Sequence, residues 1–114
     1  MSNKVDFGTS SFNIRSKKIE VRGEVDFHTA PKLREQIQAT LEKKPQVLII
    51  NLSKVTRMDS AGVAVLVEGI HMARREGVIL SLQDVSRAAR SVLELARVDK
   101  LFQVSGGNYL PPPT

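Results

Sequence analysis

A serine with a carboxylate beside it, Asp59-Ser60, opens a run of small residues, Ala61, Gly62 and Ala64. As a nucleophile Ser60 would need a general base, and the sequence places none next to it. A hydrolase elbow reads Gly-x-Ser-x-Gly, whereas this segment reads Arg57-Met58-Asp59-Ser60-Ala61-Gly62. The two histidines, His28 and His71, stand far apart with no third ligand at metal spacing, so no metal is expected. Neither a Gly-x-x-x-x-Gly-Lys-Ser/Thr loop nor a Gly-x-Gly-x-x-Gly turn occurs, and no cofactor is expected. With no cysteine, thiol nucleophiles, thiolate metal sites and disulfides are excluded together. The chain therefore reads as a non-enzyme. Two uses of Ser60 stay open. It is either a plain helix cap or a control point, because phosphorylation would add roughly −1.5 to −2 charges and three acceptor oxygens.

The elements around Ser60 must position it. Val47 to Leu52 is a continuous apolar run, read as a strand buried on both faces at the sheet centre. A loop from Ser53 to Met58 leads to Asp59, and a helix follows from Ser60 to Arg75, ended by Gly77. Val63, Leu66, Val67, Ile70 and Ala73 form its core face. Beside them runs a second stripe, Gly62, Val65, Gly69 and Met72, spaced by three and four. A glycine in mid-helix costs roughly 1 kcal/mol relative to alanine, so Gly69 asks for a reason. Either the stripe packs closely on a neighbouring element of the same chain, or another protein docks there.

The remaining elements follow the same logic. Ser11 to Ile14 reads as a short strand, Lys17-Lys18 as a turn, and Ile19 to Arg22 as a half-buried strand ended by Gly23-Glu24-Val25-Asp26. Thr29 is placed to cap a helix with Pro31 in its first turn and Ala30, Leu33, Ile37 and Leu41 on its inner face. Lys43-Lys44-Pro45 ends that helix. Val78 to Leu82 is a further strand. Ser86 caps a third helix, with Ala89, Val92, Leu93 and Ala96 inward and Arg87, Arg90, Glu94 and Arg97 outward. Val98 to Val104 closes the fold. Residues 1–10 read as a flexible N-terminus, 11–104 as one domain, and 105–114, with Gly106-Gly107 and Pro111-Pro112-Pro113, as a disordered tail. The alternation of strand and helix predicts an α/β fold with a mixed sheet.

Composition narrows the class. At 114 residues, 41% hydrophobic and 25% charged, the chain fits one soluble domain with a cytoplasmic location. No apolar run reaches the ~18–20 residues of a membrane span. The net charge of +5 comes from scattered residues, Lys17, Lys18, Lys43, Lys44, Arg74, Arg75, Arg87 and Arg90 among them, with no Trp and one Tyr. That is a solubilising surface rather than a nucleic-acid stripe.

The segment Val55-Thr56-Arg57-Met58-Asp59-Ser60-Ala61-Gly62 resembles the strand-to-loop "D-S-x-G" motif of STAS domains, the module of anti-sigma-factor antagonists. Gly23-Glu24-Val25-Asp26 resembles the family's "G-E-L/I-D" segment, Thr29-Ala30-Pro31 its first helix start, and Val92 to Phe102 its C-terminal helix and exit. The resemblance covers Phe12 to Val104. It implies a STAS-type mixed β-sheet of four to five strands with three to four helices packed mainly on one face. It implies further that Ser60 is the phosphorylated position of a partner switch, in which the unphosphorylated protein binds a serine-kinase anti-sigma factor. On that basis the partner-binding residues expected are Asp26, Thr29, Met58, Asp59, Ser60, Ala61, Gly62, Val65, Gly69 and Met72. One departure points elsewhere. Where such antagonists carry Thr-Gly, this chain has Ala96-Arg97, a variant similar to the cytoplasmic STAS accessory subunits of phospholipid-transport ABC transporters, which bind the ATPase subunit.

Overall fold

A computed structural model describes residues 15–112 of the chain. In order these form β1 (Ser16–Val25), α1 (Ala30–Glu42), β2 (Val47–Met58), α2 (Ser60–Arg75), β3 (Ile79–Gln83), α3 (Arg87–Leu95), a short 3₁₀ turn (Val98–Leu101), β4 (Gln103–Ser105) and β5 (Asn108–Leu110). The sheet order is β1-β2-β3-β5-β4. β1, β2 and β3 run parallel, and β5 pairs antiparallel with both β3 and β4. Parallel neighbours cannot be joined by a tight turn, so α1 and α2 supply the crossovers.

Period-two alternation assigns the faces of the sheet. Ile19, Val21 and Val25 of β1 are buried, while Lys18, Glu20 and Arg22 are exposed. Leu48, Ile50 and Leu52 of β2 are fully enclosed, as is Leu82 of β3. Onto this side pack Leu33, Ile37 and Leu41 of α1, Leu66, Ile70 and Ala73 of α2, and Ala89 and Leu93 of α3. Apart from one tyrosine near the C-terminus the core is almost wholly aliphatic, and the helices cover one face, as expected. On the uncovered face Asn51 is the one buried polar side chain among the described residues. Its amide donates to Gln83 Oε1 at 3.2 Å, and its Oδ1 accepts from the Ser53 amide and hydroxyl at 2.9 and 2.6 Å.

Four expectations are corrected. Lys17 and Lys18 lie within β1 rather than in a turn, because an edge strand can hold two lysines with both exposed. Residues 53–58 are not a loop: β2 continues to Met58, with Lys54, Val55, Arg57 and Met58 opposite Arg22, Gly23, Glu24 and Val25. Register shifts between Glu20 and Arg22 and between Gly23 and Glu24 break the simple alternation there. Ala96, expected inward, is the exposed C-cap of α3. The fourth correction concerns the tail. Residues 103–110 form a hairpin with Gly106-Gly107 as its loop, and Gly106 takes a positive φ of 60°. Its Tyr109 is fully buried, opposite Leu82 and edge-on to Phe102 at 5.7 Å between ring centroids. The N-terminal stretch 1–10 and the strand expected at Ser11–Ile14 lie outside the described residues, as do Pro113 and Thr114.

Tyr109→Ala is expected to destabilise the chain by about 3–5 kcal/mol, the scale of truncating a large buried aromatic. Urea unfolding followed by far-UV circular dichroism measures it. A tyrosine in a loose tail would change stability by no more than about 0.5 kcal/mol.

Candidate functional site

The start of α2 is built by Asp59. Its backbone is extended, φ −118° and ψ −170°, and its Oδ1 accepts from the amides of Ala61 at 2.8 Å and Gly62 at 3.3 Å. Aspartate at this position satisfies amides that the helix leaves unpaired and places negative charge at the positive end of the dipole. Ser60 is consequently the first helical residue and not the cap. It is exposed, and among the described residues its hydroxyl makes no hydrogen bond. Of the two uses of Ser60 left open by the sequence, Asp59 has taken the capping one.

Beside this helix start lies a turn, residues 26–29, in which the sequence assigned Asp26 to the end of a strand and Thr29 to a helix cap. Asp26 Oδ1 accepts from the amides of His28 at 2.9 Å and Thr29 at 3.1 Å. The Thr29 hydroxyl accepts from the Asp26 amide at 3.0 Å and donates to the Glu24 carbonyl at 2.9 Å. Thr29 makes no side-chain cap to the α1 amides; its hydroxyl closes the turn instead, which corrects its expected role. Desolvation by the surrounding chain opposes ionisation of Asp26. The hydrogen bonds from the Thr29 and His28 amides, with a smaller contribution from nearby His28 and the Thr29 hydroxyl, outweigh it and hold the carboxyl below its ordinary value of 3.8. The two pieces are joined directly, since the Asp59 amide donates to the Val25 carbonyl at 3.1 Å. Asp26, Thr29, Asp59, Ser60 and the half-buried Ala61 therefore share one corner of the molecule, at the carboxyl ends of β1 and β2.

The stripe on α2 does not join them. Gly62, Val65 and Gly69 are buried, as is Met58. A Cβ on Gly62 would stand 2.9 Å from Met58 Cγ, Val25 Cγ1 and the Val25 carbonyl oxygen, and one on Gly69 would stand 3.3 Å from Ile37 Cδ1. The small residues let α2 approach β1 and α1 of the same chain, so this part of the expected docking patch is interior packing. Val63 and Val67, expected in the core, are only half-buried. Met72 is half-buried too, but it lies twelve residues beyond Ser60, about 18 Å along the helix at the usual rise. It borders a separate shallow groove with Leu41, Lys44 and Arg75.

No His, Cys, Asp or Glu cluster of three or more comes together among the described residues, and no described helix is long and apolar enough to cross a membrane. What the corner offers is shape, two ordered carboxylates and an exposed hydroxyl on a helix N-terminus. One further residue there was not expected at the site: Phe27, at the tip of the turn, is 67% exposed. Its signal was present, an aromatic between the Asp26 and Thr29 that close the turn.

The STAS domain family matches residues 13–107. The chain belongs to the STAS family. An anti-sigma-B factor antagonist of Listeria monocytogenes is 33% identical over 91 residues, spanning 77% of this chain and 69% of the relative. One from Bacillus subtilis (strain 168) is 30% identical over 89 residues, spanning 78% and 72%. The crystal structure of an anti-sigma factor antagonist from Mycobacterium paratuberculosis superposes with a TM-score of 0.70 at 30% identity, covering 80% of this STAS domain and 77% of that chain.

Two outcomes follow from this geometry. Gly62→Ala is expected to cost about 1–3 kcal/mol, because the new methyl meets a backbone carbonyl that cannot rotate away. Denaturant unfolding checks it, and a change within about 0.5 kcal/mol would return Gly62 to the surface. For Asp26, a lowered folded pKa means that the stabilisation from its charge is present above the unfolded carboxyl value, near pH 4, and is lost as pH falls through the folded one. The urea midpoint of the wild type should therefore exceed that of Asp26→Asn at pH 7, with the gap narrowing as pH falls below the ordinary carboxyl value.

Proposed function

We propose that this STAS domain is a non-enzymatic, cytoplasmic anti-sigma-factor antagonist that docks on a serine-kinase anti-sigma factor through its Asp26–Thr29 and Asp59–Ala61 corner. Phosphorylation of Ser60 breaks the complex. The observation that carries this reading is the exposed Ser60 hydroxyl, first in a helix whose capping is already supplied by Asp59. A kinase can reach such a hydroxyl without unfolding anything, and the positive end of the helix dipole helps to hold the phosphate produced. The names carried by the relatives, anti-sigma-B factor antagonists, support the same reading.

The switch has a physical basis. An unphosphorylated corner of small side chains, Ser60 and Ala61, lets a partner approach closely. A phosphate adds bulk and roughly two negative charges within one residue of Asp59. Burying that charge in the interface incurs desolvation and like-charge repulsion, and a close complex cannot accommodate both.

The test uses the serine-kinase anti-sigma factor encoded by the source organism, purified and titrated with three forms of the chain. Wild type and Ser60→Ala should bind alike, and Ser60→Asp should bind at least about tenfold more weakly, a loss of 1.4 kcal/mol or more. Incubation with ATP should phosphorylate wild type and leave Ser60→Ala unmodified by intact mass. Equal binding of all three forms would refute the switch. Capture of an ABC transporter ATPase in place of a kinase would assign the chain to the transporter-subunit class.

A further inference from the structure

Phe27 exposes 67% of its surface, whereas the other aromatics described, Phe102 and Tyr109, are half-buried and fully buried. Isolated exposed leucines are ordinary on a protein surface, and Leu95 is one, 87% exposed at the end of α3. Phe27 differs in three respects. It projects from a turn closed by hydrogen bonds through Asp26 Oδ1 and the Thr29 hydroxyl on either side of it. Its ring lies against that of His28, centroids 4.0 Å apart and tilted by 34°. And the turn is tied to the helix start that carries Ser60 through the Val25 carbonyl.

An exposed aromatic on an ordered turn is costly in water and effective in an interface. The backbone that presents it is already ordered by folding, so less entropy is lost on association than from a mobile loop. Aromatic anchors seated in apolar pockets dominate the energy of many interfaces, while their neighbours mainly exclude water. The surroundings also define the pocket's rim. Asp26 and Asp59 each commit Oδ1 to backbone amides, and among the described residues the second oxygen of each makes no hydrogen bond. Two such acceptors beside a phenyl ring are complementary to an apolar pocket bordered by an arginine or lysine.

We infer that Phe27 is the anchor of the docking surface and inserts into an apolar, cation-rimmed pocket on the anti-sigma factor. This rests on the docking reading proposed above. It makes the turn, and not the small-residue stripe of α2, the source of binding energy, with Ser60 as the switch beside it.

The experiment titrates the purified anti-sigma kinase with wild type, Phe27→Ala, Phe27→Leu, Leu95→Ala and Ser60→Asp, each first checked for an unchanged melting temperature. Phe27→Ala should weaken binding at least about thirtyfold, the scale of an interface anchor. Phe27→Leu, which retains apolar volume, should lose less. Leu95→Ala, which removes an exposed apolar side chain at the end of α3, should bind as wild type. If Ser60→Asp loses binding while Phe27→Ala keeps it, the anchor is refuted and the docking reading stands. If Phe27→Ala loses binding while Ser60→Asp keeps it, the anchor stands and the phosphate switch falls. A wild type that does not bind overturns both.

Discussion

A methyl group on Gly62 would lie 2.9 Å from the Val25 carbonyl oxygen, and the geometry of the whole corner depends on its absence. Because Gly62 has no side chain, the first turn of α2 settles against the end of β1. That approach brings the Asp59 amide to the Val25 carbonyl and aligns the helix start with the turn that follows β1. Gly69 extends the same contact one level down, against Ile37 of α1. Its helix penalty, about 1 kcal/mol relative to alanine, is offset by the packing that the close approach allows.

Two aspartates then hold the surface in shape by the same device. Each turns one carboxylate oxygen inward onto two successive amides, Asp26 onto His28 and Thr29, Asp59 onto Ala61 and Gly62. Neither residue is deeply buried, so the charge remains hydrated and the cost of holding it is small. The corner formed in this way is ordered before any partner arrives. Ordered corners suit recognition in which a small chemical change must be read sharply, because a mobile loop could relax around an added phosphate. On the docking reading, rigidity and the exposed Ser60 hydroxyl are two consequences of one arrangement: aspartate caps, and serine is left over.

Much of the scaffold could be read from residue types. Pro31 and the spacing of Ala30, Leu33, Ile37 and Leu41 located α1 and its buried face. The bounds of α2 followed from Asp59-Ser60 at one end and Gly77 at the other. Other parts were hidden for identifiable reasons. Bulges in β2, which carries one extra residue opposite β1 at each register shift, displaced the alternation of Lys54, Val55, Arg57 and Met58, so a strand resembled a loop. Gly106-Gly107 was read with the prolines that follow as a tail, although Val104 and Tyr109 flank it as hairpin partners would. The stripe of Gly62, Val65 and Gly69 could not be assigned from spacing alone, because small residues serve close packing within a chain and between chains equally well. Only the position of β1 and α1 decided it. A similar blindness affected position 97. The departure from a family glycine was legible, but its consequence was not: Arg97 itself adopts a left-handed φ of 62°, the conformation glycine would have supplied.

The most direct test is a backbone-amide chemical-shift map of the isotope-labelled chain titrated with its anti-sigma kinase. The largest shifts are expected at residues 24–29 and 57–61, with Lys18, Ile49 and Ser81 on the uncovered sheet face unchanged. Shifts concentrated on that sheet face, or on Arg87 and Arg90 of α3, with residues 26–29 and Ser60 silent, would contradict it.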